Sequence, residues 1–381
     1  MRRIYLDNAA TTPIAPEVLD AMLPYMRENF GNASSIHSFG KPAKVLVEDT
    51  RDLIADFIGS KPKEIVFTSG GTEANNFAIK GLAMNFLNSD KKNIITTKIE
   101  HLAVLDTVNY LKDKFGFKIS YLDNDEYGKI NLSQLEELIK DDTFLVSVMH
   151  SNNETGVIND LKAISKIAKA KDVFVHSDTV QSFGKVRFKV NELGLDTATI
   201  SSHKIYGPKG IGALYMRDKI PVEKYQHGGS QERNLRGGTE NIPAIAGFKK
   251  AVELVIKNFD EDAEKMKELN EYLRKKLTQE FGDKIIFNTP EQHSLPNILN
   301  ISINLKKSKV DPEMLLILLD LEGIAVSGGS ACTSGSHKPS HVLLNLGRDE
   351  KTALASIRIS LGRYNTKGDL DYFILALKEV I

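Results

Sequence analysis

Seven short runs rich in β-branched residues, at 64–69, 93–97, 118–122, 144–149, 173–177, 197–201 and 212–216, constrain the fold of this chain most. Between them lie stretches with the 3.6-residue period of amphipathic helices, such as 103–115 and 161–170. Strands that are apolar almost throughout, joined by helices, predict a mostly parallel sheet covered on both faces. After Thr239-Glu240-Asn241 the pattern changes. A long helical stretch over 242–281 leads into strand-like NILNISINL, a helix over 311–323, strand-like IAVSG and finally SIRISLG. The chain therefore reads as an α/β protein with a large domain over 1–254 and a smaller α+β domain over 255–381. The N-terminal segment is placed to pack with the smaller domain.

Charge narrows the partners. Lys and Arg total 50, and so do Asp and Glu, which leaves no global field to favour nucleic acid or an anionic membrane. No run of about 18 apolar residues is present, so no membrane span is expected, and a cytoplasmic protein is the reading. The single cysteine, Cys332, excludes an intramolecular disulfide framework and a multi-cysteine zinc site.

Three segments carry chemistry. In EIVFTSGGTEANN a strand runs into Gly70, Gly71 and Thr72 and then directly into a helix. Glycines let backbone N–H groups approach an anion, and the helix offers its positive end; an ordinary turn with a threonine cap reads equally well. In VFVHSDTVQS an apolar strand ends at Asp178, with Gln181 just beyond. That carboxylate could hold a proton on a heterocyclic nitrogen or cap the next turn. In TATISSHKIYGPKG another apolar strand ends at Ser201, Ser202, His203 and Lys204. A lysine at the end of a buried strand is desolvated enough to form a Schiff base. In an open parallel sheet all three sites fall at the carboxyl edge, where ligands bind. An anion cup, a carboxylate and an amine are the parts that pyridoxal 5′-phosphate requires.

The constellation resembles the fold-type I pyridoxal phosphate enzymes of aminotransferase class V. YLDNAATTP, GNASSIHSFG, TSGGTEANN, MHSNNETG, HSDTVQS, SSHKIYGPKG, RGGTEN, SGGSACTSG and SIRISLGRYNT stand in family order, and together they are similar to the group I, NifS- and IscS-like cysteine desulfurases. The resemblance implies that Lys204 carries the cofactor and shuttles protons, that Asp178 pairs with its ring nitrogen, and that Gln181 bonds its ring hydroxyl. It implies that His101 stacks on the ring. Gly71, Thr72, Ser201 and His203 would hold the phosphate, joined by Thr239 of the partner subunit, which requires a homodimer. Asn153 and Arg358 would bind the substrate carboxylate, the arginine as a bidentate pair.

The same resemblance implies that L-cysteine becomes L-alanine and that its sulfur passes to the enzyme as a persulfide. The acceptor must be a thiolate, and Cys332 lies in GGSACTSGSHKPS (328–340), where nothing large and apolar could cover it. Sulfur would then go to a scaffold protein for iron–sulfur clusters, and to tRNA thiolation. No resident metal is expected, apart from a cluster shared transiently between Cys332 and such a scaffold. Selenocysteine lyase or another class V enzyme is the alternative, because the same cofactor residues serve those reactions.

Overall fold

The computed structural model describes residues 3–328 and 338–381. Its twelve strands are β1 (Ile4–Tyr5), β2 (Ile65–Thr68), β3 (Asn93–Thr97), β4 (Lys118–Leu122), β5 (Thr143–Ser147), β6 (Phe174–Asp178), β7 (Thr197–Ser201), β8 (Gly212–Met216), β9 (Ile285–Phe287), β10 (Ile298–Ile303), β11 (Ile324–Ala325) and β12 (Ser356–Ser360). Seven of them form the central sheet in the order β2-β8-β7-β6-β5-β3-β4. Only β8 runs against its neighbours. The sheet is thus the mostly parallel seven-stranded one expected, and each observed strand lies within a residue or so of its sequence-based position.

The strands are apolar throughout because both faces are covered. Every residue of β5, β7 and β8 is buried, whereas β4, at the sheet edge, is mostly half-exposed. Helices Lys41–Ile58 and Leu161–Lys169 supply one layer, and their buried residues share a core with β5, β6 and β7. Helices Gly71–Met84 and Leu102–Phe115 contribute to a separate apolar cluster with β3 and β5.

The helix Ile242–Phe281 links two cores. At ~1.5 Å per residue it is about 60 Å long. Asn241 caps its start by accepting from the Ala244 amide, and Pro243 occupies its first turn. Residues up to Phe259 pack on the large core. From Leu269 onward, Leu273, Leu277 and Phe281 pack instead with β10 and β12. β10 is the middle strand of an antiparallel sheet ordered β12-β10-β9. The helix expected over 311–323 is shorter, Leu315–Leu321. Asp311 accepts from the amides of Glu313 and Met314 and so forms a turn before it. β1 pairs in parallel with β11, a two-residue contact too short to show as a sequence pattern. Among the described residues, no helix is long and apolar enough to cross a membrane.

One buried ion pair fastens the loop that precedes the long helix. Glu232, Arg233 and Asn234 all have positive φ, a conformation that costs L-residues roughly 1–2 kcal/mol each. Arg51 holds this turn by a two-pronged bond to Glu232, at 2.8 and 3.1 Å, and Glu232 also accepts from the Phe67 amide of β2. Both side chains are 3% exposed. Glu232→Ala strands the guanidinium in the interior and should cost about 3–5 kcal/mol. Denaturant unfolding of the purified protein measures this; a loss within experimental error of zero would refute the anchoring role.

Candidate functional site

Strands β2, β3, β5, β6 and β7 all end at one edge of the sheet, and a cavity of about 170 Å³ opens there. Gly71 and Thr72 from the helix after β2, Asp178 at the end of β6 with Gln181 beyond it, and Ser201 at the end of β7 with His203 and Lys204 beyond it all line it. So do His101, which follows β3, Asn153, which follows β5, and Arg358, from β12 of the other sheet. Residues drawn from positions 71 to 358 of the sequence meet in one space.

A chain of hydrogen bonds fixes Asp178. Asn75 donates to its Oδ2 (2.7 Å), and the Val180 amide donates to Oδ1 (2.9 Å). With its amide nitrogen committed, Asn75 turns Oδ1 to His176 Nε2 (3.0 Å), and His176 Nδ1 faces the Thr197 hydroxyl at 2.9 Å. Burial pushes His176 down to about 3, so the ring is neutral and its Nε2 carries the proton. The carboxylate is therefore aimed by a rigid second layer. Asn75 was legible only as part of a motif. Its role becomes visible once the helix turns it inward, one turn beyond Gly71.

Lys204 lies in a tight turn, Ser202–Lys204, directly after β7. Its Nζ donates to the carbonyls of Ala9 (2.5 Å) and Ala10 (2.7 Å). The N-terminal segment clamps the same turn. Thr12 donates to the His203 carbonyl and accepts from the Tyr206 amide, and Thr11 Oγ1 meets His203 Nδ1 at 3.1 Å. Tyr206 has φ +66, unusual for an aromatic residue. A Cβ at the next position, Gly207, would lie 2.0 Å from Ser202 Oγ, so only glycine fits. Burial and the nearby cations Lys204, Lys209 and Lys185 press His203 down to about 4. Lys185 is buried beside it, held down to about 7 by burial and by Lys204.

The remaining positions fill out the rim. His101 caps helix Leu102–Phe115 by accepting from the Ala103 amide through Nδ1. Glu100 is wholly buried and accepts from Met149 and Thr97; burial pushes its carboxyl up to about 8. Arg358, 1% exposed, donates to the Asn153 carbonyl and to Asp7. Thr239 does not line this cavity. It is exposed, in a neighbouring cleft with Ser69 and Arg236. Cys332 lies outside the described residues.

Five lining residues keep a buried polar atom without a partner among the described residues: Ser151 Oγ, Asn153 Oδ1, Gln181 Oε1, Ser201 Oγ and Arg358 Nε. An unmet buried polar group costs roughly 1–3 kcal/mol, so the cavity is built for a polar ligand. Gly71 keeps the helix entrance narrow, since a Cβ there would come within 2.9 Å of Val180. A phosphate at that helix start and Ser201, a ring nitrogen on Asp178 and a ring hydroxyl on Gln181 match the donors and acceptors present. The set fits pyridoxal 5′-phosphate.

Comparison with known proteins agrees. Residues 4–373 match the family described as Aminotransferase class-V. A cysteine desulfurase IscS of Dictyoglomus turgidum is 46% identical over 380 residues, covering 100% of this chain and 95% of that one. The mitochondrial cysteine desulfurase of Saccharomyces cerevisiae is 43% identical, over 99% of this chain and 75% of its own. Among solved structures, a NifS-like protein superposes with a TM-score of 0.91 at 40% identity, covering 100% of this chain and 99% of that one. SspA in complex with cysteine gives a TM-score of 0.84 at 36% identity, with 96% and 100% covered. The chain belongs to the aminotransferase class-V family, as one of its pyridoxal phosphate-dependent cysteine desulfurases.

Proposed function

We propose that the chain takes sulfur from L-cysteine, leaves L-alanine, and carries the sulfur as a persulfide on Cys332 for delivery to an iron–sulfur scaffold protein and to tRNA thiolation. The observation that carries this reading is the shared cavity. One space holds a lysine amine, a carboxylate aimed by Asn75, and a buried arginine with a spare donor. Bound there, pyridoxal 5′-phosphate supplies an electron sink for the substrate's Cα. Gly71, Thr72, Ser201 and His203 hold its phosphate, Gln181 its ring hydroxyl, and His101 its ring face. Asp178 keeps a proton on the ring nitrogen. Lys204 takes the Cα proton and returns it. Arg358 and Asn153 grip the substrate carboxylate, which aligns the Cα–H bond with the lysine.

Sulfur transfer then needs only a thiolate. Cys332 attacks the substrate sulfur and an S–S bond forms. The Cβ–S bond breaks with its electron pair left on carbon, which is protonated to give alanine. A relative in complex with cysteine supports this substrate.

The chain is further read as a cytoplasmic homodimer, with Thr239 of the partner subunit completing the phosphate site. Exposed Phe30, Ile36, Phe39 and Val45 lie close together in sequence, and Phe30 stacks on Phe39, a patch suited to a second copy. The division into 1–254 and 255–381 draws support from the two cores that the long helix joins.

Three outcomes test the reading. Cys332→Ala should abolish alanine formation while the cofactor's visible absorbance persists; wild-type protein given L-cysteine should gain one sulfur atom on the Cys332 peptide by mass spectrometry. Continued turnover without the thiol would disprove the persulfide step. Phe39→Glu should shift the protein from dimer to monomer in light scattering and weaken cofactor retention; an unchanged mass would exclude this face. The third outcome concerns His176. Held low in the fold and near 6.5 when unfolded, it contributes stability present above pH 6.5 and lost as pH falls toward 3. Between pH 7 and pH 5, His176→Asn apoprotein should lose about 2 kcal/mol less than wild type. Equal losses in denaturant unfolding would mean that His176 is charged in the fold.

A further inference from the structure

Among the described residues, Arg358 is the only guanidinium lining the cavity, and one anion sets its aim. Nη2 donates to Asp7 Oδ1 at 2.8 Å, and among the described residues Asp7 is the only carboxylate paired with it. Nη1 is spent on the Asn153 carbonyl at 3.0 Å. The pair is well shielded, at 2% and 14% side-chain exposure, so its geometry is not smeared by solvent. Held in this way, the guanidinium keeps Nε without a partner, and Nε with the second hydrogen of Nη2 forms the side-on fork that a carboxylate fits.

Asp7 has a second oxygen, and it is also committed. Ser327 donates to Oδ2 at 2.8 Å. Ser327 is in turn fastened to Arg358 itself: the Arg358 amide donates to the Ser327 carbonyl at 2.6 Å. Gly328, the next residue, accepts from Ser356 at 2.7 Å. Asp7 can occupy this junction because the N-terminal strand enters between two others. Leu6 donates to Ala325, the last residue of β11, and accepts from Ser360 of β12. Nothing in the sequence brings positions 7, 327 and 358 together.

We infer that Asp7 is the positioning residue of the carboxylate site: it aims Arg358 and, through its second oxygen, ties that aim to Ser327, at the foot of the segment that bears Cys332. Asp7 does not line the cavity and acts through the arginine. The inference rests on the proposed role of Arg358 in binding the substrate carboxylate. It assigns the task of a rigid counter-ion to a residue from the far end of the chain.

The test compares two ligands on the full-length, cofactor-loaded enzyme, read by titration of the visible absorbance. L-Alanine carries the carboxylate, and ethylamine is the same molecule without it. Asp7→Ala should raise the Kd of L-alanine about tenfold and change that of ethylamine less than twofold, with kcat for L-cysteine nearly constant and KM raised. A merely structural loss would weaken both ligands alike, and that result, like an unchanged L-alanine Kd, overturns the inference. Should Asp7→Ala not fold, Asp7→Asn is read by the same ratio, with a threshold of threefold. Ser327→Ala should weaken L-alanine about threefold alone and not at all in the Asp7→Ala background; equal effects in both backgrounds would break the tie to Ser327. Arg358→Gln separates the two readings. If it spares L-alanine binding, the carboxylate role falls and the inference with it; if it abolishes binding while Asp7→Ala has no effect, only the inference falls.

Discussion

Two backbone carbonyls, those of Ala9 and Ala10, hold the Lys204 amine, and most of the site depends on the strip of chain that presents them. Within six residues that strip also pairs Asp7 with Arg358, receives the Gln181 amide on the Ala9 carbonyl, and locks the His203 and Tyr206 backbone through Thr12. A short segment with little core of its own thus joins the carboxyl edge of the large sheet to β12 of the small one. These contacts span up to 351 positions. Closing loops of that length precedes any gain from the contacts, so the site should be among the last parts of the molecule to form.

Around this strip, buried ionisable groups are sorted by whether they have partners. Asp178 keeps two donors, and its second layer consists of neutral groups, Asn75 and His176. His150, buried against Phe188 and bonded to Ser182, is likewise pushed down to about 4 by burial. Glu100 is buried without a cation and rises to about 8, which keeps it protonated at neutral pH. Glu154 is also raised by burial, although Ser340 donates to it and Arg358 pulls the other way.

How far the sequence carries this picture follows from the range of each interaction. The strands of the central sheet were legible because burial on both faces demands unbroken apolar runs, and β7 (TATIS) shows the result. Lys204 and Asp178 were legible because each ends such a run. The shortened helix Leu315–Leu321 was overestimated because apolar periodicity continues through a turn that Asp311 imposes. β1 and β11 offer two residues each, too few for any period to register. Arg358 was identified by resemblance alone, and its partners Asp7 and Ser327 were not, since ion pairs across hundreds of positions leave no local trace. Asn75 reads as an ordinary polar helix residue until the fold buries it to 1% exposure.

Charge balance in the cavity gives the last constraint on what it holds. The whole chain is neutral, yet Lys204, Lys185 and Arg358 crowd one edge of one sheet. Burial first and then the charge of Lys204 hold Lys185 near 7, and burial with the charges of Lys204, Lys209 and Lys185 presses His203 to about 4. Two lysines this close cannot both stay charged at low cost. A dianionic phosphate held at the Gly71 helix start, as proposed above, would offset that repulsion and use the helix dipole. A substrate carboxylate held by Arg358, the role proposed above, would meet a cation that Asp7 already pairs at 2.8 Å, so product would leave no bare cation in the interior.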